Sequence, residues 1–111
     1  MSDARAVLDG ATTERELQDQ VLELLRLYGW VCYHTWRSDH SEAGFPDIIA
    51  TNGKVILAIE CKREHGKVTV AQQRWLDLLH SAGAYALTLR PSDMDAFIEW
   101  VKKRQGPKHG Q

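Results

Sequence analysis

Three charged residues near the middle of this sequence could act on one target. Asp47 ends Gly44-Phe45-Pro46-Asp47, and Glu60 and Lys62 flank Cys61 in Ile59-Glu60-Cys61-Lys62. Two carboxylates within reach of one another can hold a hard divalent cation through oxygen ligands. A cation held in this way polarises a phosphoryl oxygen and lowers the pKa of a bound water. A lysine beside it can orient that water, help to deprotonate it, or balance charge on a pentavalent phosphorus. Phosphodiester hydrolysis needs this combination. A plainer reading makes Asp47 a turn residue after Pro46 and Glu60 a strand-end charge. Charges at the end of a strand fit for burial are, however, rarely left without a use. Spacing alone leaves the two readings open.

The positions matter only if the chain folds them together. Asp47 to Thr51 reads as a short apolar strand and Lys54 to Lys62 as a returning one, joined by Asn52-Gly53. Asn-Gly is a strong two-residue hairpin signal, because both residues tolerate positive φ. With that turn, Thr51 pairs with Lys54, Ile49 with Ile56 and Asp47 with Ala58. The side-chain period along a strand is two, and directly opposed residues share a face. Asp47, Ile49, Ile56, Ala58, Glu60 and Lys62 then share one face, with Ile48, Leu57, Ile59 and Cys61 on the other. Asp47 and Glu60 become diagonal neighbours with β-carbons roughly 7–8 Å apart.

Helices flank this hairpin. Residues 1–11 show little pattern and read as a loose lead-in. Thr13-Glu14-Arg15-Glu16 is a capping box, and Leu17, Val21, Leu24 and Leu25 follow at helical spacing up to Gly29. Trp30 to Thr35 is β-branched and aromatic, a strand. Trp36 to Phe45 is a polar loop. Thr69 caps a second helix carrying Trp75, Leu76, Leu78 and Leu79, which ends at Gly83. Ala84 to Leu89 is a strand, and a further helix starts at Pro91-Ser92. The order is α-β-β-β-α-β-α, an α/β fold in a single domain spanning 1–111, closing on a basic tail at 104–111.

Composition narrows the function classes. At 43% hydrophobic and 26% charged the chain is an ordinary globular one rather than a disordered one. Its longest apolar run is too short for a membrane span, and no signal-peptide pattern opens it. A cytoplasmic location, or wherever its substrate resides, is therefore expected. Cys32 and Cys61 lack metal-ligand spacing and are expected as reduced, buried thiols. A net charge of −1, with 14 basic against 15 acidic residues, argues against a large phosphate-gripping surface.

Motif, element order and flanking residues together resemble the VRR-NUC family of the PD-(D/E)XK nuclease superfamily, especially its stand-alone, phage-type members. The likeness rests on Glu14 in a capped helix, Gly44-Phe45-Pro46-Asp47, Ile59-Glu60-Cys61-Lys62, Gln72-Gln73-Arg74-Trp75-Leu76 and Gly83, from about Thr13 to Trp100. It implies a restriction-endonuclease-like αβββαβ core: a mixed central sheet flanked by helices, here with an added C-terminal helix. It implies an Mg²⁺- or Mn²⁺-dependent endodeoxyribonuclease acting on branched or Holliday-junction DNA as a homodimer. The alternative is a DNA-structure-binding module on the same fold without catalysis. By the same resemblance Asp47, Glu60, Lys62 and a first-helix glutamate form the active centre, and the Cys61 backbone carbonyl is a further metal ligand.

Helical geometry chooses between the two glutamates. At about 100° per residue Glu14 projects with Leu17, Val21 and Leu25 toward the sheet, whereas Glu16 points away and already closes the capping box. Glu14 is therefore expected as a metal or water ligand. Gln72 closes a capping box with Thr69 but shares the face of Trp75, Leu76 and Leu79, so cap and active-site roles both stand. Arg37, His34, Arg63 and Lys67 are candidate DNA-backbone contacts that read equally well as solvated or structural residues.

Overall fold

The hairpin that carries both motifs lies inside a four-stranded sheet. The computed structural model describes residues 2–35 and 43–107. Its elements are α1 (Ser2–Ala11), α2 (Glu14–Leu27), β1 (Val31–His34), β2 (Ile48–Thr51), β3 (Ile56–Cys61), α3 (Val70–Ser81), β4 (Tyr85–Leu89), a 3₁₀ turn (Pro91–Asp93) and α4 (Met94–Lys102). The strand order is β1-β2-β3-β4. The first two pairings are antiparallel and the last is parallel. A parallel partner needs a crossover, and α3 supplies it. The segment α2-β1-β2-β3-α3-β4 is the expected restriction-endonuclease-like α/β core, with α4 appended.

Both faces of the sheet are covered, unequally. Ile48, Leu57, Ile59, Cys61 and Leu89 pack against Leu17, Val21, Leu22 and Leu25 of α2 and Phe97 and Val101 of α4 in one apolar core. Each fully buried leucine here contributes about 2 kcal/mol relative to exposure. The opposite face is covered by α3 over β3 and β4, while Val31, Tyr33 and Ile56 stay exposed. Both capping boxes form as read: Thr13 with Glu16 on α2, and Thr69 with Gln72 on α3.

Three expectations need correction. Residues 2–11 are a helix, not a loose lead-in. The larger apolar side chains of this segment, Val7 and Leu8, stay exposed, so no core-facing stripe reveals it. Arg5 instead ties α1 to itself through Asp9 at 3.5 Å and to the start of α4 through Asp95 at 2.9 Å. Residues 104–107 are not a free basic tail. Gly106 donates its backbone N–H to the Tyr28 carbonyl at 2.9 Å, and the Arg104 guanidinium lies 4.3 Å from the Trp100 ring centre. Residues 108–111 lie outside those described.

The third correction concerns register. Thr51 pairs with Ile56 and Ile49 with Ala58, so the connection runs over residues 52–55 and is not a two-residue turn. Asn52 has no positive φ; Gly53 alone in this turn does, at 94°. Asn52 uses its side chain instead. Its Oδ1 accepts from the Lys54 and Val55 amides at 2.9 and 3.0 Å, and its Nδ2 donates to the Arg104 carbonyl at 3.1 Å. The pairing slips by two positions, and because the side-chain period is two every residue keeps its face.

Candidate active site

The slipped register brings the motif residues closer than the two-residue turn would. Continued by one residue beyond Ile48–Ile59, it sets Asp47 opposite Glu60 instead of diagonal to it. Asp47 is fixed there by backbone. Its carbonyl accepts from the Thr35 amide at 2.9 Å, and its carboxylate Oδ2 accepts from the Cys61 amide at 2.8 Å. Pro46 before it is buried.

Glu60 is 3% exposed and Lys62 9%, side by side on one face of the β3 end. The Lys62 ammonium lies 3.9 Å from Glu60 Oε2. That same oxygen accepts from Gln72 Nε2 at 2.9 Å. Gln72 thus does both things its position allows: it closes the α3 cap through its Oε1 and holds Glu60 through its Nε2. The N-terminus of α3 is in turn seated on the motif loop. Gly44 has a φ of 84°, and a β-carbon there would collide with the backbone of Ala71 and Gln72. Phe45 meets Trp75 edge to face at 5.0 Å.

Glu14 opens α2, half-buried, and acts electrostatically on Asp47, Glu60 and Cys61. Glu16 points away, exposed, closing the cap at 2.9 Å from the Thr13 amide. Helix geometry therefore separates the two as expected.

Crowding of acids in a dry place sets the electrostatics. Burial pushes the Glu60 carboxyl up to about 8 from an ordinary 4.5, with the negative charge of Asp47 adding to the shift. Burial also raises Asp47, and Glu14 pushes it the same way. The Cys61 thiol is raised strongly by burial and by the three acids, so it stays protonated and unreactive. Cys32 is likewise raised by burial, and both cysteines are free thiols, as expected.

Could these residues hold a cation? Among the described residues no three His, Cys, Asp or Glu side chains are set together as a ready cage. Asp47 and Glu60 could offer two carboxylate oxygens, and the Cys61 backbone between Glu60 and Lys62 a neighbouring carbonyl. Glu60 Oε1 is buried and has no hydrogen-bond partner among the described residues. A buried carboxylate oxygen without a donor is costly unless something else meets it. Magnesium keeps several waters and takes only one or two protein carboxylates, so this donor set fits it.

The remaining predicted residues are scattered. His34 pairs with Ile48 on the face that α2 covers, and its Nε2 lies 2.9 Å from Gln18 Oε1. It is therefore on the other face of the sheet from Glu60. Arg63 and Lys67 are exposed in the turn after Lys62. Arg37 lies outside the described residues. Gln18, one helical turn after Glu14, is a contact that the sequence did not single out; its spacing from Glu14 was the available signal.

A family model for the VRR-NUC domain matches residues 6–92 of this chain. The chain belongs to the VRR-NUC family. Its domain is of the nuclease type, with DNA as the partner that this implies. No curated protein and no solved structure matches the chain. No helix among the described residues is long and apolar enough to cross a membrane.

Proposed function

We propose that this VRR-NUC domain is an Mg²⁺- or Mn²⁺-dependent endodeoxyribonuclease selective for branched DNA, Holliday junctions included, working as a homodimer. The observation that carries the metal dependence is the buried Oε1 of Glu60, without a hydrogen-bond partner among the described residues and directly across the hairpin from Asp47. Asp47, Glu60 and the Cys61 carbonyl would be the cation's protein ligands, with Glu14 as a ligand of the metal or its water. Bound there, the cation would supply a polarised phosphoryl oxygen and a water of lowered pKa.

The protein's own groups have separable tasks. Asp47 and Glu60 must both be ionised to serve, although burial raises both carboxyls, with the charge of Asp47 adding to the shift at Glu60 and that of Glu14 at Asp47. Lys62, beside Glu60, balances charge on the phosphorus and orients the attacking water. Gln72 keeps the Glu60 carboxylate in one rotamer. Exposed Arg63 and Lys67 would meet the DNA backbone, whereas half-buried His34, turned toward α2, would reach DNA only from the other face of the sheet.

Junction selectivity draws its support from size. One small domain of near-neutral charge has little surface for reading bases, and two linked protomers can read shape instead. Exposed Val31, Tyr33 and Ile56, on the same sheet face as Glu60 but with Val31 and Ile56 toward the turn end of the hairpin, are apolar surface such a dimer could cover. A non-catalytic DNA-binding module is the second reading, favoured only by the incomplete carboxylate cage.

The test is incubation of purified protein with linear, flap and four-way-junction DNA in Mg²⁺ or Mn²⁺. Cutting of the junction first, lost in Asp47→Ala and in chelator, is expected. No cutting of any DNA with either metal would leave the binding module.

A further inference from the structure

The turn that follows Lys62 is held by a residue that no motif contains. Arg90, half-buried at the end of β4, reaches back across the sheet edge. Its Nη1 donates to the carbonyls of Arg63 at 2.9 Å, Glu64 at 3.1 Å and Gly66 at 2.8 Å. A second tie joins the same two segments, because the Ser92 amide donates to Glu64 Oε1 at 3.1 Å. The position of Arg90 is itself fixed. Its own amide donates to Asp93 Oδ2 at 2.8 Å, and Leu89 before it accepts from the Lys62 amide at 3.0 Å.

We propose that Arg90 is a positioning residue for the nuclease site: by gathering three carbonyls of residues 63–66 it sets Lys62, Glu14 and the start of α3 relative to one another. This rests on the nuclease reading above. Three observations connect the turn to the site. The Lys62–Leu89 bond is the last rung of the parallel ladder, so beyond it the turn alone governs where the chain goes. Gly66 abuts Glu14: a β-carbon there would lie 3.5 Å from Glu14 Oε2 and 3.2 Å from Arg63 Cγ. The same turn leads to Thr69, whose cap starts the helix that carries Gln72 to Glu60.

Arginine suits this task. A loop of converging carbonyls has no donor of its own, and a guanidinium carries several donors in a rigid fork without ever deprotonating. A lysine brings three donors on a flexible stem and can satisfy some of the carbonyls but cannot fix their spacing.

The test uses the full chain with Arg90→Met and Arg90→Lys, measured by junction cleavage in Mn²⁺ and by amide hydrogen exchange. Displacement of a catalytic group is expected to lower kcat of Arg90→Met by about tenfold to a hundredfold while KM stays within about twofold. Amides of residues 63–67 are expected to exchange faster, with those of β3 still protected. Arg90→Lys should recover part of both losses. Unchanged kcat in Arg90→Met, or a loss confined to KM, as for a phosphate contact, overturns the proposal. So does unchanged exchange at 63–67. Should Arg90→Met fail to fold by circular dichroism, Arg90→Lys carries the same readings at smaller amplitude. Should the wild type cut no DNA, the nuclease reading fails, and the exchange data still decide whether Arg90 holds the turn.

Discussion

The two ends of the β2–β3 hairpin treat buried polar side chains in opposite ways. At the turn end Asn52 is 8% exposed and has partners for both its side-chain oxygen and nitrogen, accepting from two amides and donating to a carbonyl. At the other end Glu60 is 3% exposed, has one oxygen that no donor among the described residues meets, faces another acid and has its ammonium partner only at 3.9 Å. One end satisfies what it buries. The other crowds acids around a buried carboxyl that the described residues leave partly unsatisfied. Such a cost persists where something offsets it, and under the proposed function that something is a cation.

The largest expected effect separates the ends by activity. Asp47→Ala, Glu60→Ala or Lys62→Ala should reduce cleavage by at least about a hundredfold, while Asn52→Ala should leave kcat of the folded protein near wild type. Single-turnover cleavage of a junction substrate reads this. A wild-type rate in all three site variants ends the nuclease reading. Glu14→Gln should come next, with cleavage loss of about tenfold or more, whereas Glu16→Ala should cost stability of about 0.5–1 kcal/mol through the α2 cap and leave the chemistry alone.

Stability should respond with opposite signs at the two ends. Asn52→Ala strands two amides and a carbonyl and is expected to cost about 2 kcal/mol in urea unfolding. Glu60→Gln removes a buried, repelled charge and should stabilise the metal-free protein by about 1–2 kcal/mol near pH 8. Equal destabilisation by both would erase the contrast.

The smallest effect is in pH. The folded-state pKa of Glu60 is raised to about 8 from 4.5. Below 4.5 the carboxyl is protonated in both states and costs nothing. As pH climbs toward 8 the unfolded chain ionises first, so stability of the metal-free protein should fall across that window and level off above it. Asp47, raised in the same direction, adds to the slope. Thermal unfolding from pH 4.5 to 8.5 should show the decline, and Glu60→Gln should flatten it.

How much of this was legible beforehand follows the same division. The face shared by Asp47, Glu60 and Lys62 could be read because strand alternation survives a register shift of two. The register itself could not be read. Asn52-Gly53 looks like a pair of positive-φ residues, but Asn52 bonds instead to its own neighbours and to Arg104, 52 positions away. Both helix starts carrying Glu14 and Gln72 were legible because a capping box is written in four adjacent residues. The helix α1 was not, since its ties run from Arg5 to Asp95, far along the chain. The fixed tail segment 104–107 was hidden for the same reason, its amide bond going to Tyr28.

The most direct test of the contrast is calorimetric titration of Mn²⁺ into the wild type and Glu60→Gln in buffers of different ionisation enthalpy. Below pH 8 the wild type should bind Mn²⁺ with release of a proton, its affinity rising by up to about tenfold per pH unit, and Glu60→Gln should lose both the binding and the proton. Equal binding by the two proteins, or none by the wild type at millimolar Mn²⁺, would contradict a cation site at the buried acidic end.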